Sequence, residues 1–430
     1  MQAYSLNDLE TWNERIEELV RAAGLDCYDQ EFEICTYEDM LCYEAYAGMP
    51  AHYPHWSFGK TYERQRTFYQ YNLVGLPYEM VINSDPCIAY LMRDNTLLLQ
   101  ILTMAHVYGH NDFFKNNRLF RRDTRAELTV EMFKAHADRV RSYIQDPSIG
   151  PAKVERILDA AHALRFQVSR SGEPPLSVLA EETPGSIPPR LEEDLLAFLA
   201  ERGKLAEWEQ DLVNIVRAES LYFIPQLETK IMNEGWASYW HYKTLQELEL
   251  PQGLHFEFLQ RHNLVIRPHL QSLNPYYVGF KMFEALDKTY GRQKLKEVRA
   301  TERDQSFIRR FLTRELAEEM NLFSYGAAGN DLVIEETADE DGWKAVRDTL
   351  ANSAGLGGVP VIRPASLAKG TLVLEHVSDG RELEMVYARE TLKHIVDLWG
   401  GKLELLTVLE GRPIGIVCDE DKNITWSDRT

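Results

Sequence analysis

Two histidines, His106 and His110, stand four residues apart within residues 104–114. The residues ahead of them, 97–104, are almost wholly apolar and contain no proline, which predicts a buried helix that continues through His110. On such a helix the two imidazoles lie one turn apart on the same face and can reach one metal ion. Zinc hydrolases carry a glutamate directly after the first histidine as general base, but Val107 occupies that position here. The spacing therefore predicts the ligand geometry of such a site without its usual base.

Other side chains could complete a site around the histidine pair. Glu219 precedes the helix break at Pro225, and Asp112 follows the pair, so either carboxylate could act as a base or as a ligand. His241 could be a further ligand or could orient one, or it could serve as the base. The alternative interpretation is that the two histidines are polar residues satisfied inside a helical core.

A second predicted helix, residues 226–248, carries several of these groups. Glu234 and His241 lie seven positions apart and share one of its faces. Gly235 inside a helix costs about 1 kcal/mol relative to alanine, so we expect another element to approach closely there.

The composition is that of an ordinary globular protein, and it excludes some functions. The 430 residues are 44% hydrophobic and 27% charged, which is enough to bury a large core in two or three domains. The net charge of −20 argues against non-specific binding to nucleic acid or to an anionic membrane. No apolar run reaches the roughly 18 residues needed to span a bilayer. We therefore expect no nucleic-acid partner and no transmembrane segment.

The N-terminus and the cysteines indicate a compartment. No basic region followed by an apolar core opens the chain, so no signal peptide is expected. Five scattered cysteines form no CxxC pair, which suits free thiols in a reducing cytoplasm. The sequence predicts a cytoplasmic protein.

The elements that must position these residues are predicted to be mainly α-helical. We expect a helical body over residues 1–320, interrupted by a proline-rich loop at 169–190, and a small C-terminal α+β domain over 325–430. Residues 52–60 are predicted to form an irregular, aromatic-packed loop that could line a site. A helix is predicted to begin at Asp85-Pro86, and Ser378-Asp379-Gly380 predicts a hairpin in the tail.

Four longer stretches identify a family. Residues 52–60, 77–83, 106–117 and 231–241 together resemble the stage V sporulation protein R (SpoVR) family, and the resemblance extends over nearly the whole chain, including Leu398-Trp399-Gly400. It implies a role in forming the spore cortex, the modified peptidoglycan of bacterial endospores. Because relatives also occur in bacteria that do not sporulate, it also implies a wider role in envelope or stress physiology. It implies no established reaction.

A further similarity concerns the helix of Glu234. Residues 233–239 look like the third-ligand motif of zinc aminopeptidases, and this implies a zincin-like (gluzincin-like) site with His106, His110 and Glu234 as ligands of a divalent metal, zinc. Glu234 lies 124 positions after His110, farther than in those enzymes. The site would be lined by aromatic side chains from residues 53–58 and by Tyr108 and Trp236.

Three classes of function are compatible with these patterns. The first is a metal-dependent hydrolase of an envelope or peptide substrate, with Glu219, Asp112 or His241 replacing the missing base. The second is a non-catalytic, zincin-like scaffold or regulatory protein that binds a protein or cell-wall-related partner. The third is a metal-free scaffold. Val107 favours the second over the first, because a general base contributes about 10²–10⁴-fold to a rate.

Overall fold

A computed structural model of the chain describes residues 4–70, 79–170, 187, 189–268, 272–328, 331–368 and 370–428. The helices are α1 (Leu6–Ala22), α2 (Tyr37–Ala45), α3 (Trp56–Gln70), α4 (Leu97–Asn116), α5 (Arg118–Asp123), α6 (Thr129–Gln145), α7 (Pro151–Ala163), α8 (Pro189–Glu192), α9 (Leu195–Arg202), α10 (Glu207–Glu228), α11 (Lys230–Glu247), α12 (Gln252–Val265), α13 (Pro275–Tyr290), α14 (Arg292–Thr301), α15 (Asp304–Phe311), α16 (Arg314–Glu319), α17 (Trp343–Ser353) and α18 (Met385–Trp399). The strands are β1 (Gln30–Cys35), β2 (Glu79–Ile82), β3 (Cys87–Met92), β4 (Phe323–Ala328), β5 (Asp331–Thr337), β6 (Val361–Ala368), β7 (Thr371–Val377), β8 (Leu403–Leu409), β9 (Arg412–Cys418) and β10 (Ile424–Asp428).

The chain divides into two compact units. The first comprises Met1–His52, Trp56–Met132 and Pro225–Gly358, and the second comprises Tyr53–His55, Phe133–Ile224 and Val359–Thr430. The predicted division into domains 1–320 and 325–430 stays a prediction. Most of the predicted proline-rich loop, residues 171–186 and 188, lies outside the described residues.

Helix α4 forms the centre of the first unit. Every residue from Gln100 to Phe114 is buried, because α1, α11, α12 and α14 pack around this helix together with β2 and β3. Thr96 caps its N-terminus, since the Thr96 hydroxyl accepts a hydrogen bond from the amide of Leu99 at 3.2 Å. A helix buried on all sides places its polar residues, including both histidines, inside the core.

Glycines allow the central helices to touch. A Cβ atom added to Gly235 of α11 would collide with the backbone of Gly279 in α13. A Cβ atom added to Gly109 of α4 would lie 2.6 Å from the Cα of Ala237 in α11. The predicted close approach at Gly235 is therefore confirmed, and it fixes α4, α11 and α13 against one another by backbone contact.

A three-stranded sheet lies beside α4 and was not predicted. Its order is β1-β3-β2, with β1 parallel to β3 and β2 antiparallel to it. The helix predicted to begin at Asp85-Pro86 is wrong, because strand β3 starts at Cys87 and pairs on both sides. The predicted loop at 52–60 is wrong from Trp56 onward, where α3 begins. At Asp85-Pro86, pairing with distant segments overrode the local signal for a helix.

The C-terminal residues of the second unit form a five-stranded sheet of order β10-β9-β8-β7-β6. Helix α18 packs on α7 and α9, and Trp399 stacks on Phe198 with ring centroids 5.9 Å apart. The predicted hairpin at 378–380 is wrong, because Glu384 caps α18 and β7 pairs in parallel with β8, which requires a crossover helix between them. The prediction of a mainly helical chain with a small C-terminal sheet region is confirmed. No helix in the described ranges combines the length and apolarity needed to cross a bilayer.

Candidate metal centre

Four side chains of the first unit converge on one point. His106 and His110 come from α4, Glu234 from α11 and Glu79 from the first position of β2. One ligand atom of each lies within 4.8 Å of the ligand atoms of the other three. Glu79 Oε1 is 3.2 Å from His106 Nε2 and 3.7 Å from His110 Nε2. Glu234 Oε2 is 3.8 Å and 3.5 Å from the same two nitrogens.

These distances fit a metal ion better than direct contacts between the side chains. Ligand atoms that bind zinc at about 2.1 Å in a tetrahedral arrangement lie about 3.4 Å apart. The four nitrogen–oxygen distances bracket that value and exceed the roughly 2.7–2.9 Å expected of a charge-assisted hydrogen bond. The second oxygen of Glu79 is buried with no hydrogen-bond partner among the described residues. Two imidazoles and two carboxylates also form a donor set that zinc accepts.

The partner of His110 fixes which of its nitrogens faces the centre. His110 Nδ1 lies 2.8 Å from Asn233 Oδ1, which can only accept, so Nδ1 must carry the hydrogen and donate it. In the neutral ring the lone pair of Nε2 then faces the carboxylates of Glu79 and Glu234. The lone pair and the carboxylates repel each other unless a cation lies between them. This tautomer therefore leaves the His110 ring ready to bind a cation.

A chain of three histidines runs behind His106. His106 Nδ1 lies 2.8 Å from His241 Nδ1, and His241 Nε2 lies 2.8 Å from His262 Nδ1. When Nε2 of His106 binds a metal, its Nδ1 donates to His241, which in turn donates through Nε2 to His262. Burial, followed by the charges of His106 and His262, holds the pKa of His241 well below its usual value, so His241 is a neutral acceptor. His241 therefore fixes the orientation of the His106 ring, which is a candidate metal ligand.

Electrostatics make the centre a site for positive charge. Burial alone would lower the pKa of His106, but Glu79 and Glu234 outweigh it and raise that pKa to about 9. Burial alone would raise the pKa of Glu79, but the two histidines lower it to about 2. Both shifts have one cause, which is the attraction between buried carboxylates and a positively charged imidazole beside them.

Two aromatic rings that were not predicted to line the site stack on its histidines. Tyr276 of α13 stacks on His106 with ring centroids 6.1 Å apart, and Phe114 stacks on His110 at 5.9 Å. Tyr108, predicted to line the site, donates its hydroxyl hydrogen to Asn13, and Tyr53 belongs to the second unit. The third predicted ring, Trp236, is fully buried and donates its indole N–H to Asp112.

Asp112 is a packing residue of the core. Its carboxylate lies 3.1 Å from Arg299 Nη1 and accepts hydrogen bonds from the backbone amide of Asp26 and from the indole of Trp236. Burial raises its pKa to about 6, although Arg299 opposes that shift. A carboxylate with this many donors is committed to them, which weighs against Asp112 as a base.

Glu219 has other partners as well. It belongs to the second unit, where its Oε1 lies 3.0 Å from His136 Nδ1 and where Tyr53 also hydrogen-bonds to it. The four converging side chains all belong to the first unit. A role for Glu219 as base stays a prediction.

Asp304 holds the start of the helix that carries Glu234. Its buried carboxylate accepts hydrogen bonds from the amides of Ile231 and Met232, at 2.8 and 2.9 Å. Thr229, the residue at the N-cap, makes no such side-chain bond. Asp304, a residue of α15, thus supplies hydrogen-bond acceptors for the backbone amides in the first turn of α11. These bonds fix the position of Glu234 along the axis of α11.

Sequence reasoning missed Glu79. Its position is set by the antiparallel pairing of β2 with β3, in which Glu79 lies opposite Leu91. The only local signal was its place within residues 77–83, one of the family-like stretches, of which residues 77 and 78 lie outside the described residues.

Comparison with known proteins agrees with the family resemblance of the sequence. The sequence model of a family described as "SpoVR like protein" matches residues 3–184 and 177–359, and that of the "SpoVR-like C-terminal domain" matches residues 367–410. A relative named "Uncharacterized protein YcgB", from Escherichia coli (strain K12), is 33% identical over 463 aligned positions that cover 91% of this chain and 90% of that protein. No solved structure matches the chain.

Proposed function

This chain belongs to the SpoVR family, and we propose that it is a metal-dependent hydrolase in which His106, His110 and Glu234 hold a divalent cation, zinc. The observation that carries the proposal is the convergence of these three ligand atoms with that of Glu79 within 4.8 Å. We further propose that the substrate is a peptide or an envelope precursor and that the protein acts in spore-cortex formation or related envelope physiology.

Glu79 takes the role of general base that Val107 leaves open. Its Oε1 approaches both imidazoles, and its Oε2 has no hydrogen-bond partner among the described residues and can accept a proton. The base would thus come from a strand facing the histidines instead of from the next position on their own helix.

The other residues of the site have separate tasks. A bound cation would supply a Lewis acid and lower the pKa of a water molecule. His241 and Asn233 accept hydrogen bonds from Nδ1 of His106 and of His110, respectively. The lone pair of each ring is then on Nε2, which faces the centre. Tyr276 hydrogen-bonds to Glu234, and burial, reinforced by Glu234 and Glu79, raises its pKa well above the usual value, so its hydroxyl keeps its hydrogen and remains a donor.

The two carboxylates are the least buried side chains of the centre. The side chains of Glu79 and Glu234 are 10% and 17% exposed, whereas that of His106 is fully buried. A substrate would therefore approach from the carboxylate side, where the proposed base lies.

A second candidate function is a scaffold stiffened by a metal ion, the class that the missing glutamate favoured. One observation supports it: four converging protein ligands can saturate a tetrahedral ion and leave no open position, as in structural zinc sites. Glu79 decides between the two functions, since it is a base in the first and a ligand in the second.

The deciding experiment compares the full chain with Glu79→Gln after loading with zinc. We measure bound zinc by mass spectrometry and hydrolysis of a peptidoglycan stem peptide. A hydrolase predicts that the variant keeps its zinc and loses about 10²–10⁴-fold in rate. Loss of zinc from the variant, with no hydrolysis by the wild type, would establish the scaffold instead. Glu297→Gln on the exposed face of α14 is the matched control.

A further inference from the structure

A groove of about 1240 Å³ lies beside β1 in the first unit, and none of the four candidate metal-centre residues lines it. It is lined by residues of α1, β1, α4 and α12 and by the segment that joins β3 to α4. Most of the lining is apolar and includes Leu9 of α1, Phe32 and Ile34 of β1, and Met104 of α4. The groove therefore has an apolar interior beside a strand.

Within the described part of the chain, that strand has a free edge. There β1 pairs only with β3, in parallel, and the amides of Cys87 and Arg93 donate to the carbonyls of Asp29 and Cys35 at 2.8 and 2.9 Å. In a parallel ladder these contacts place the backbone groups of residues 29, 31, 33 and 35 toward β3. The amide and carbonyl groups of Phe32 and of its alternate neighbours 30 and 34 consequently point outward.

No described residue satisfies the outward backbone groups of Phe32 and Ile34. Both residues also line the groove. An extended segment that paired with this edge would therefore gain backbone hydrogen bonds and, at the same time, place every second side chain in an apolar space.

We propose that β1 is a docking edge for an extended peptide segment of a partner protein, in which apolar residues alternate with lysine or arginine. The apolar residues enter the groove beside Phe32 and Ile34. The basic residues fall on the other face of the extended sheet, next to Glu31 and Glu33, which are exposed on β1.

Charge selects the basic partner. Glu10, Asp94 and Glu257 line the groove, and Arg93 is the one cation among its described lining residues. With the exposed glutamates of β1, this makes the whole edge acidic, in a chain whose net charge is −20. A segment rich in lysine or arginine is attracted to such a surface, and an acidic one is repelled.

The same charges disfavour a second copy of this chain. Pairing of two β1 edges would bring Glu31 and Glu33 of one copy beside the same residues of the other. Like charges opposite one another destabilise strand pairing, and edge strands commonly use such charges to avoid self-association. A basic strand is attracted to Glu31 and Glu33 instead of being repelled by them. The charges that disfavour pairing with a second copy therefore favour the proposed partner.

The first test uses a fluorescein-labelled, end-capped peptide in which lysine and valine alternate. Its binding to the full chain is measured by fluorescence anisotropy. The comparison peptide alternates glutamate and valine. We expect the wild type to prefer the basic peptide by about tenfold or more, and Glu31→Lys/Glu33→Lys to reverse that preference. Equal affinity of the wild type for both peptides, or an unchanged preference in the double variant, would overturn the proposal.

The second test asks whether the backbone pairs. Two versions of the basic peptide carry N-methyl groups, one on every valine and the other on every lysine. Only one set of amides faces β1 in a paired strand, so one version should bind and the other should not. The version that fails also reports whether the segment runs parallel or antiparallel to β1. If the two versions bind equally well, or equally poorly, strand addition is wrong.

The third test removes a donor from the edge. Ile34→Pro deletes an outward amide without deleting a hydrogen bond to β3, and Ile34→Val keeps that amide. We expect the proline variant to lose binding and the valine variant to retain it, with thermal unfolding showing that both are folded. Binding by a folded proline variant equal to that of the valine variant would contradict the proposal. So would a dimer in sedimentation that Ile34→Pro abolishes, since it would assign the edge to a second copy.

Discussion

Asp112 of α4 and Arg299 of α14 form a buried ion pair, with 3.1 Å between Oδ2 and Nη1. Asp112→Ala would leave the Arg299 charge buried without its partner, so we expect a loss of about 3–5 kcal/mol in the free energy of unfolding, measured with urea. The exposed pair Lys294–Glu297 provides the control, because Glu297→Ala should cost no more than about 1 kcal/mol. Equal losses in the two variants would show that the buried pair does not stabilise the core.

Asp304 should make stability depend on pH. Burial raises its pKa to about 8, whereas an unfolded aspartate titrates near 3.8. Between pH 3.8 and about pH 8, the Asp304 carboxyl is protonated in the folded state and ionised in the unfolded state. The stability that this proton contributes is therefore present at about pH 4 and is lost as the pH rises through 8. We expect the free energy of unfolding to fall over that range and Asp304→Asn to flatten the fall. Parallel curves for the two proteins would contradict this expectation.

His241→Ala should weaken metal binding without removing a ligand. Nδ1 of His106 would lose its partner at 2.8 Å, and loss of such a partner lowers metal affinity by about 10–100-fold. Competition with a fluorescent zinc chelator measures this change. His255→Ala on the exposed face of α12 is the control and should leave affinity unchanged. An unaltered affinity in the His241 variant would mean that the histidine chain serves packing alone.

Metal content is the direct test of the ligand set. We expect about one zinc ion per chain in the protein loaded with zinc, and none above background in His106→Ala or Glu234→Gln. Inductively coupled plasma mass spectrometry after gel filtration gives the ratio. If Glu234→Gln retains zinc as firmly as the wild type, the similarity to the aminopeptidase motif does not extend to a ligand.

The proposed role in the cortex can be tested in cells. We expect deletion of the gene in a spore-forming host to give spores with a defective cortex and poor resistance to heat or lysozyme. Complementation with the wild type should restore resistance, and complementation with His106→Ala should not. A normal cortex in the deletion strain would refute this role.

Helical periodicity made much of the site predictable. Residues four apart on a continuous helix must share a face, so His106 and His110 could be paired from spacing alone, and Gly235 marked the contact with α13. Glu79 could not be found in this way, because strand pairing with β3 decides where it lies. No local pattern encodes that pairing.

The errors have the same origin. In the tail, Ser378-Asp379-Gly380 carries a turn signal, but the capping carboxylate of Glu384 starts a helix a few residues later. A short motif indicates a turn, and the residues beyond the turn decide whether a strand or a helix comes next.

The backbone contacts of Gly109 with Ala237 and of Gly235 with Gly279 have a consequence for the spacing of the proposed ligands. Helices that meet through backbone atoms cannot come closer, so these two contacts set the least distance from α11 to α4 on one side and to α13 on the other. A methyl group at position 235 or 109 would have to push α11 away from its neighbour and would displace Glu234 relative to the two histidines. Two residues that offer no ligand atom therefore determine how near the proposed ligands can come to one another.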